Sequence, residues 1–404
     1  MTRPDAPRLV ERLGRFGTTI FSEMTALAVA HDAVNLGQGF PDEDPPAPVV
    51  EAAVTALRDG HHQYAPGPGV PALRAAIADH QARFHDLSYD PDDEVTVTFG
   101  ATEAVAASVL ALCEPGDEVV VLEPTYDAYT AVIAMAGGTE VRVTLAPPRF
   151  GFDADAFAAA VGPRTRLVIL NSPHNPTGTV LGPDDLDAIA TVCVERDLVV
   201  VTDEVYEHLV FDGRHVPLAT RPGMRERTVT VSSAGKTFSC TGWKIGWACA
   251  PSPLTTAVRT TKQFLSFAGG TPLQHAVAHA LALPDTVYDD VREALRHQRD
   301  LLCAGLEELG ASLRRPAGTY FVTADLAPLG HDDAEAFCRW APAAIGIAAV
   351  PVSAFVLDPG PVRSLARFAF CKPPDVIEEG VRRLAAGIGA AGSRTAAIGG
   401  RSAP

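Results

Sequence analysis

At 404 residues the chain exceeds one ordinary core, and roughly 100–200 residues per domain predicts two or three domains. Hydrophobic residues make up 47% and charged residues 20%, a balance that excludes disordered and fibrous classes. The formal charge is −16 and no basic patch opposes it, so no nucleic-acid partner is expected.

The opening stretch, MTRPDAPRLVERLGRFG, has no apolar signal region, and about 18 uncharged apolar residues nowhere run together. A cytoplasmic protein without membrane contact is expected. Residues 1–48 show no strand ladder of their own and are expected to pack with a smaller C-terminal domain or on a partner subunit. A large domain is expected over 49–290. Within it Gly67-Pro-Gly69-Val-Pro-Ala72 loosely matches a dinucleotide fingerprint, but no strand precedes it and two prolines interrupt it, so it reads as a turn.

From about residue 93 to 250, β-branched runs alternate with Ala/Leu-rich helical stretches, the signature of a mostly parallel, covered sheet. Seven strands are predicted: Glu94–Phe99, Glu118–Leu122, Thr139–Val143, Leu167–Leu170, Leu198–Thr202, Thr228–Val231 and Ile245–Ala250. Several are apolar on both faces, as buried parallel strands are. Helices are predicted over Ala101–Leu112 and Asp184–Arg196, the latter with Pro183 at its first turn. The pattern then changes to a helix over Val287–Leu309 and short strands around Gly318–Ala324, Ile347–Val350 and Leu365–Phe370. This predicts a smaller α+β domain over 291–389. Residues 390–404, small and polar, read as a disordered tail.

Seven cysteines are scattered and never in CxxC spacing, so they read as reduced core residues. Twelve histidines form no zinc-spaced cluster, and no metal is expected. His174 and His208 fall near the motifs below, but a lone histidine is more often structural.

The sharpest segment is SSAGKTFSCTGWKIGW, residues 232–247. A nucleophilic lysine must be desolvated or set near other cations to act at neutral pH. Lys236 follows a strand among small residues, with Lys244 eight positions on. Judged alone it reads more readily as a solvated loop lysine. The hydroxyls of Ser232 and Ser233 favour the other reading, because with Lys244 they can bind a phosphate on the same ligand. In LVVVTDEVY, Asp203 ends a buried strand and needs a partner there. That partner is a helix cap, a structural cation or a protonated ring nitrogen. At an effective dielectric near 20 and about 4 Å, an ion pair is worth on the order of 4 kcal/mol, enough to keep such a nitrogen protonated. Tyr206 offers a phenol three residues later. NSPHNPTG (171–178) ends another strand at the sheet edge where ligands bind, and presents Asn175. GATEA (100–104) starts a helix whose free N–H groups, with Thr102, suit an anion. Arg367 interrupts the apolar LARFAF, as a structural ion pair or as a carboxylate-binding guanidinium.

In order and spacing, from NLGQGFPDEDPP at 35–46 to RFAFCKPPD at 367–375, these motifs resemble the fold-type I pyridoxal-5′-phosphate (PLP) aminotransferases. The likeness is to the subgroup with kynurenine, glutamine and methionine aminotransferases. The resemblance implies an α/β fold with a seven-stranded sheet, a second α+β domain, and amino acid and 2-oxo acid substrates. It implies Lys236 as the Schiff-base lysine, Asp203 as partner of the pyridine nitrogen, and Asn175 with Tyr206 at the ring hydroxyl. Gly100, Ala101, Thr102, Ser233 and Lys244 match the phosphate cup, and Tyr126 of EPTYDAY the ring-stacking aromatic. Arg367, Asn175 and the backbone of Gly37 match the carboxylate site, with Phe267 and Phe355 near the substrate. Tyr64 of QYAPGPG matches a tyrosine that reaches the neighbouring subunit's phosphate, which implies a homodimer with shared active sites.

Within the subgroup, SEMTALA, NLGQGFPDED, CTGWKIGWAC and Gly269-Gly270 after KQFLSF resemble actinobacterial N-succinyldiaminopimelate aminotransferases. Many relatives carry an aromatic after PVSAF where Val356 stands here; with the glycine pair, this is expected to reshape the side-chain pocket and leaves the substrate open. The same apparatus serves C–S β-lyases and natural-product enzymes, since the bond broken depends on orientation at Cα. A regulator with an aminotransferase-like domain would need a DNA-binding module, for which the roughly 35 residues ahead of NLGQGF leave no room.

Overall fold

The computed structural model describes residues 10–14 and 16–399, with side chains as far as residue 387. The first strand, β1 (Val34–Asn35), is one that the sequence does not announce, because two residues carry no periodicity. It pairs in parallel with Ile347–Ala348, so the N-terminal segment has a ladder after all.

All seven strands expected between 93 and 250 form one sheet. They are β2 (Val95–Phe99), β3 (Glu118–Glu123), β4 (Thr139–Thr144), β5 (Thr165–Asn171), β6 (Val199–Asp203), β7 (Thr228–Ser233) and β8 (Ile245–Cys249). Their order is β2-β8-β7-β6-β5-β3-β4, with β8 antiparallel to both neighbours. Side chains alternate across the pleat. Val119, Val121, Leu167, Ile169 and Val201 pack on one face with the helix Gly100–Leu112, and Val120, Leu122, Val168, Leu170 and Val200 on the other with the helix Pro183–Glu195. Both faces are covered, which is why these strands read as unbroken apolar runs. The turn at Gly67–Pro68 is a turn indeed, its Pro68 carbonyl accepting the Val97 N–H at 2.8 Å.

The helix Asp285–Glu308 leads to β9 (Ser312–Leu313) and β10 (Phe321–Asp325), then β11 (Ile347–Ala348), β12 (Val350–Pro351) and β13 (Leu365–Ala369). Four of these form an antiparallel sheet in the order β12-β13-β10-β9. The helix Pro374–Gly399 runs through residues read in sequence as the start of a disordered tail; the alanines there favour helix, and residues 400–404 lie outside the described residues. All seven cysteines are free and buried. Among the described residues no helix is long and apolar enough to cross a membrane.

Candidate active site

The sheet registers bring several strand ends to one edge. Asn171 pairs with Asp203, Ser233 with Gly246, and Phe99 with Ile245. Because β8 runs the opposite way, its first residue and the preceding Lys244 lie beside the last residues of β2 and β7. A cavity of about 370 Å³ opens there, closed on the other side by Phe21, Gln38 and Gly39 of the N-terminal segment and by Phe321 and Arg367 of the antiparallel sheet.

One part of the wall suits an anion. The helix Gly100–Leu112 starts with no side-chain cap, so its first N–H groups are available. Gly100 takes a left-handed φ of +73°, and a Cβ on it would lie 3.2 Å from Lys244 Nζ. Gly246 must also be glycine, since a Cβ would meet the Gly100 carbonyl carbon at 2.5 Å. Lys244 itself is left-handed at φ 55° and has no hydrogen-bond or ion-pair partner among the described residues. Ala101, Thr102 and Ser233 complete this wall.

Lys236 lies in the short helix Ala234–Thr237, and burial lowers its amine to about 8. Its Nζ donates to Tyr320 Oη at 2.6 Å. Asp203 is 7% exposed; Tyr129 Oη donates to its Oδ2 at 2.6 Å and the Val205 N–H to Oδ1 at 3.3 Å. Burial raises its carboxyl pKa against the pull of Tyr129 and Lys236. Tyr206 is buried, and Tyr126 is pushed up to about 12 by burial.

Arg367, on β13, is 1% exposed, yet no carboxylate lies within ion-pair distance of it among the described residues. It donates through Nη1 to Asn175 Oδ1 and through Nη2 to the Gly37 carbonyl, both at 2.9 Å, while Nε has no partner among the described residues. The Phe321 ring lies 3.9 Å from its guanidinium carbon. Burial pulls it down to about 10. A guanidinium with spare donors and no counter-ion is built for an anionic ligand.

The cavity thus gathers Gly100, Ala101, Thr102, Tyr126, Asn175, Asp203, Tyr206, Ser233, Lys236, Lys244 and Arg367. Five of the sequence candidates stand outside it, among them Ser232, whose hydroxyl is turned to Glu207 instead of a phosphate. Gly37 and Phe355 lie behind Arg367; the Gly37 N–H is already bonded to Asn35 Oδ1 at 3.0 Å, and the Phe355 ring lies 5.5 Å from the guanidinium. Tyr64, 82% exposed, meets Phe267 edge-on at 5.7 Å away from the cavity. Val356 packs on the core and Gly269 lies over Phe99, and neither lines the cavity. Sequence reading missed Tyr129, Tyr320, Phe21 and Gln38. Tyr129, three residues after Tyr126 in EPTYDAY and in edge contact with its ring, was the one with a usable signal.

A second polar cluster grows from the same stretch of chain. His85 Nε2 lies 2.5 Å from Glu207 Oε2, Ser232 Oγ donates to Glu207 Oε1, and His215 Nε2 lies 2.6 Å from Glu204 Oε2. His80 and His208 face each other through Nε2 atoms 2.7 Å apart. Burial alone would raise the Glu207 carboxyl, but the imidazoles of His80 and His85 outweigh it and hold it well below the usual range. His174 is buried against Thr177 Oγ1 at 2.8 Å, with burial lowering it to about 4.

Residues 31–384 match the aminotransferase class I and II family, and the chain belongs to it. It is an aminotransferase with a fold-type I architecture. It is 54% identical over 387 residues to the probable N-succinyldiaminopimelate aminotransferase DapC of Mycobacterium tuberculosis, covering 93% of this chain and 97% of that one. The methionine aminotransferase of Escherichia coli is 41% identical over 374 residues, covering 92% and 97%. The solved structure of the M. tuberculosis N-succinyldiaminopimelate aminotransferase superposes with a TM-score of 0.92 at 53% identity, over 94% of this chain and all of that one.

Proposed function

We propose that the chain is a cytoplasmic, homodimeric PLP enzyme that passes the amino group of N-succinyl-LL-diaminopimelate, or a related L-amino acid, to a 2-oxo acid in two half-reactions. The observation that carries this reading is one cavity with two anion-seeking walls. The uncapped helix start with Lys244 suits a phosphate, and the unpaired Arg367 suits a carboxylate. The similarity to N-succinyldiaminopimelate aminotransferases favours that donor.

The residues fit the cofactor. Gly100, Ala101, Thr102, Ser233 and Lys244 would hold its phosphate, Asp203 its ring nitrogen, and Tyr126 would stack on the ring. Arg367 occupies Asn175 Oδ1, which leaves the Asn175 amide N–H groups, with the Tyr206 hydroxyl, for the ring oxygen. When bound, PLP supplies a carbonyl to receive the amino group and an electron sink conjugated to the substrate Cα. The Asp203 carboxylate would keep the ring nitrogen protonated by its charge. Lys236 moves the proton at Cα; an amine near 8 exchanges protons readily at neutral pH. Arg367 fixes the α-carboxylate with N–H groups that the fold leaves unused, and so orients the Cα–H bond. Tyr64 and Phe267 meet on an exposed surface that suits subunit contact, from which Tyr64 would reach the neighbour's phosphate. In this reading residues 49–290 form the large domain, and 1–48 belong with the small one over 291–389.

The test is a single-turnover reaction without acceptor, offering the purified enzyme N-succinyldiaminopimelate, kynurenine, glutamine, methionine and cysteine conjugates. One equivalent of the matching 2-oxo acid with a changed cofactor absorbance is the expected result. Continuous release of pyruvate and ammonia would overturn it in favour of elimination.

A further inference from the structure

Tyr320 is fully buried and immediately precedes β10. The turn before it is strained: Thr319, a β-branched residue, holds φ +69° in the left-handed region. It is held there because its N–H donates to the Leu209 carbonyl at 2.9 Å and its Oγ1 accepts the Phe321 N–H at 3.1 Å. Gly318 fits only without a Cβ, which would lie 2.9 Å from Pro173 and Val180. What the strained turn delivers is the direction of the Tyr320 ring.

The Tyr320 hydroxyl donates its one proton to the Gly39 carbonyl, so its oxygen meets Lys236 Nζ, 2.6 Å away, as an acceptor. Gly39 is fixed in turn, since a Cβ would lie 2.4 Å from the Phe321 ring. Burial of a tyrosine calls for one partner, and Gly39 already provides it. The bond to Lys236 is additional. The Tyr206 ring stands perpendicular to Tyr320 at 5.2 Å, and the two flank Nζ at 5.8 and 5.3 Å from their centroids.

We infer that Tyr320 is a positioning residue for Lys236, receiving the amine whenever it is free of the cofactor and holding it ready for proton transfer. This rests on the reading of Lys236 given above. It also ties the lysine to the N-terminal segment through Gly39. The other titratable groups around the amine are Cys371, Asp203, Arg367, Lys244 and Tyr206. Tyr320 Oη is the nearer of two acceptors, the Gly39 carbonyl lying 3.5 Å from Nζ; an acceptor for N–H favours the ammonium form, so removing the nearer one lowers the lysine's titration midpoint.

The experiment uses the pyridoxamine-phosphate form of the enzyme, in which the lysine is free. Trace acetylation across a pH series, read by mass spectrometry on the Lys236 peptide, gives its midpoint. In Tyr320→Phe the midpoint is expected to fall by about one unit. The limiting half-reaction rate should fall about 10- to 100-fold with donor affinity unchanged. An unmoved midpoint overturns the proposal, whatever the rate does. Should Tyr320→Phe not fold, para-aminophenylalanine at 320 keeps the ring and a donor for Gly39 but is a poor acceptor; the same midpoint shift is expected and its absence has the same meaning. Turnover persisting in Lys236→Ala would instead remove the reading of Lys236 on which the proposal rests.

Discussion

The stretch Asp203–His208 supplies two buried polar clusters that differ in one respect. Glu204 and Glu207 are matched by His215, His85 and Ser232, so the charges behind the sheet are answered by the fold itself. In the cavity, among the described residues, Arg367 has no carboxylate at ion-pair distance, Lys244 has no hydrogen-bond or ion-pair partner, and Lys236 rests on a phenol. Burial of charge costs free energy in both places. Where the fold leaves that cost without a counter-ion, a ligand is the missing partner, and this separates a site from a structural network better than burial does.

The largest expected effect falls on the matched cluster. Glu207→Gln breaks a buried ion pair and should lower the unfolding free energy by about 3–5 kcal/mol in urea titrations, with the half-reaction rate unchanged. A slowed rate at unaltered stability would erase the distinction between the clusters. Next comes Arg367→Met, which fills the volume but removes the guanidinium. Donor binding should weaken by about 2–5 kcal/mol, at least ~30-fold, while the urea midpoint moves less than in Glu207→Gln. Equal donor affinity would take Arg367 out of the site. The smallest effect concerns a buried base. His174 is lowered by burial from 6.5 to about 4, so as pH falls below 6.5 the unfolded chain takes up the proton before the folded one does. Its stabilisation is complete above 6.5 and declines by about 1.4 kcal/mol per unit down to about 4. The difference in unfolding free energy between pH 7 and pH 5 should therefore shrink in His174→Gln; an unchanged difference would show that His174 is not held neutral.

Much of this could be read from the chain. The large sheet was legible because burial on both faces writes each strand as an apolar run, and Asp203, Asn175 and Lys236 because each follows such a run where open sheets place ligands. Strand β1 was not, since two residues contain no period and its partner β11, itself within the strand expected at 347–350, lies some 310 positions away. Tyr320 and Phe21 were missed for another reason. An aromatic in an apolar segment reads as core, and only the tertiary arrangement shows which of its edges meets a charge. Tyr64 and Phe267 were read as site residues from the resemblance, and a single chain leaves them together on its surface.

The reversal of β8 has a bearing on how the protein is made. Gly100 and Lys244 are some 140 positions apart, and they meet only when β8 has threaded between β2 and β7 with Gly246 seated on Gly100. So distant a closure belongs to the slow, late part of assembly. On the proposed function this wall is thus a checkpoint: a nascent chain could not grip a phosphate there until β8 has taken its place between β2 and β7.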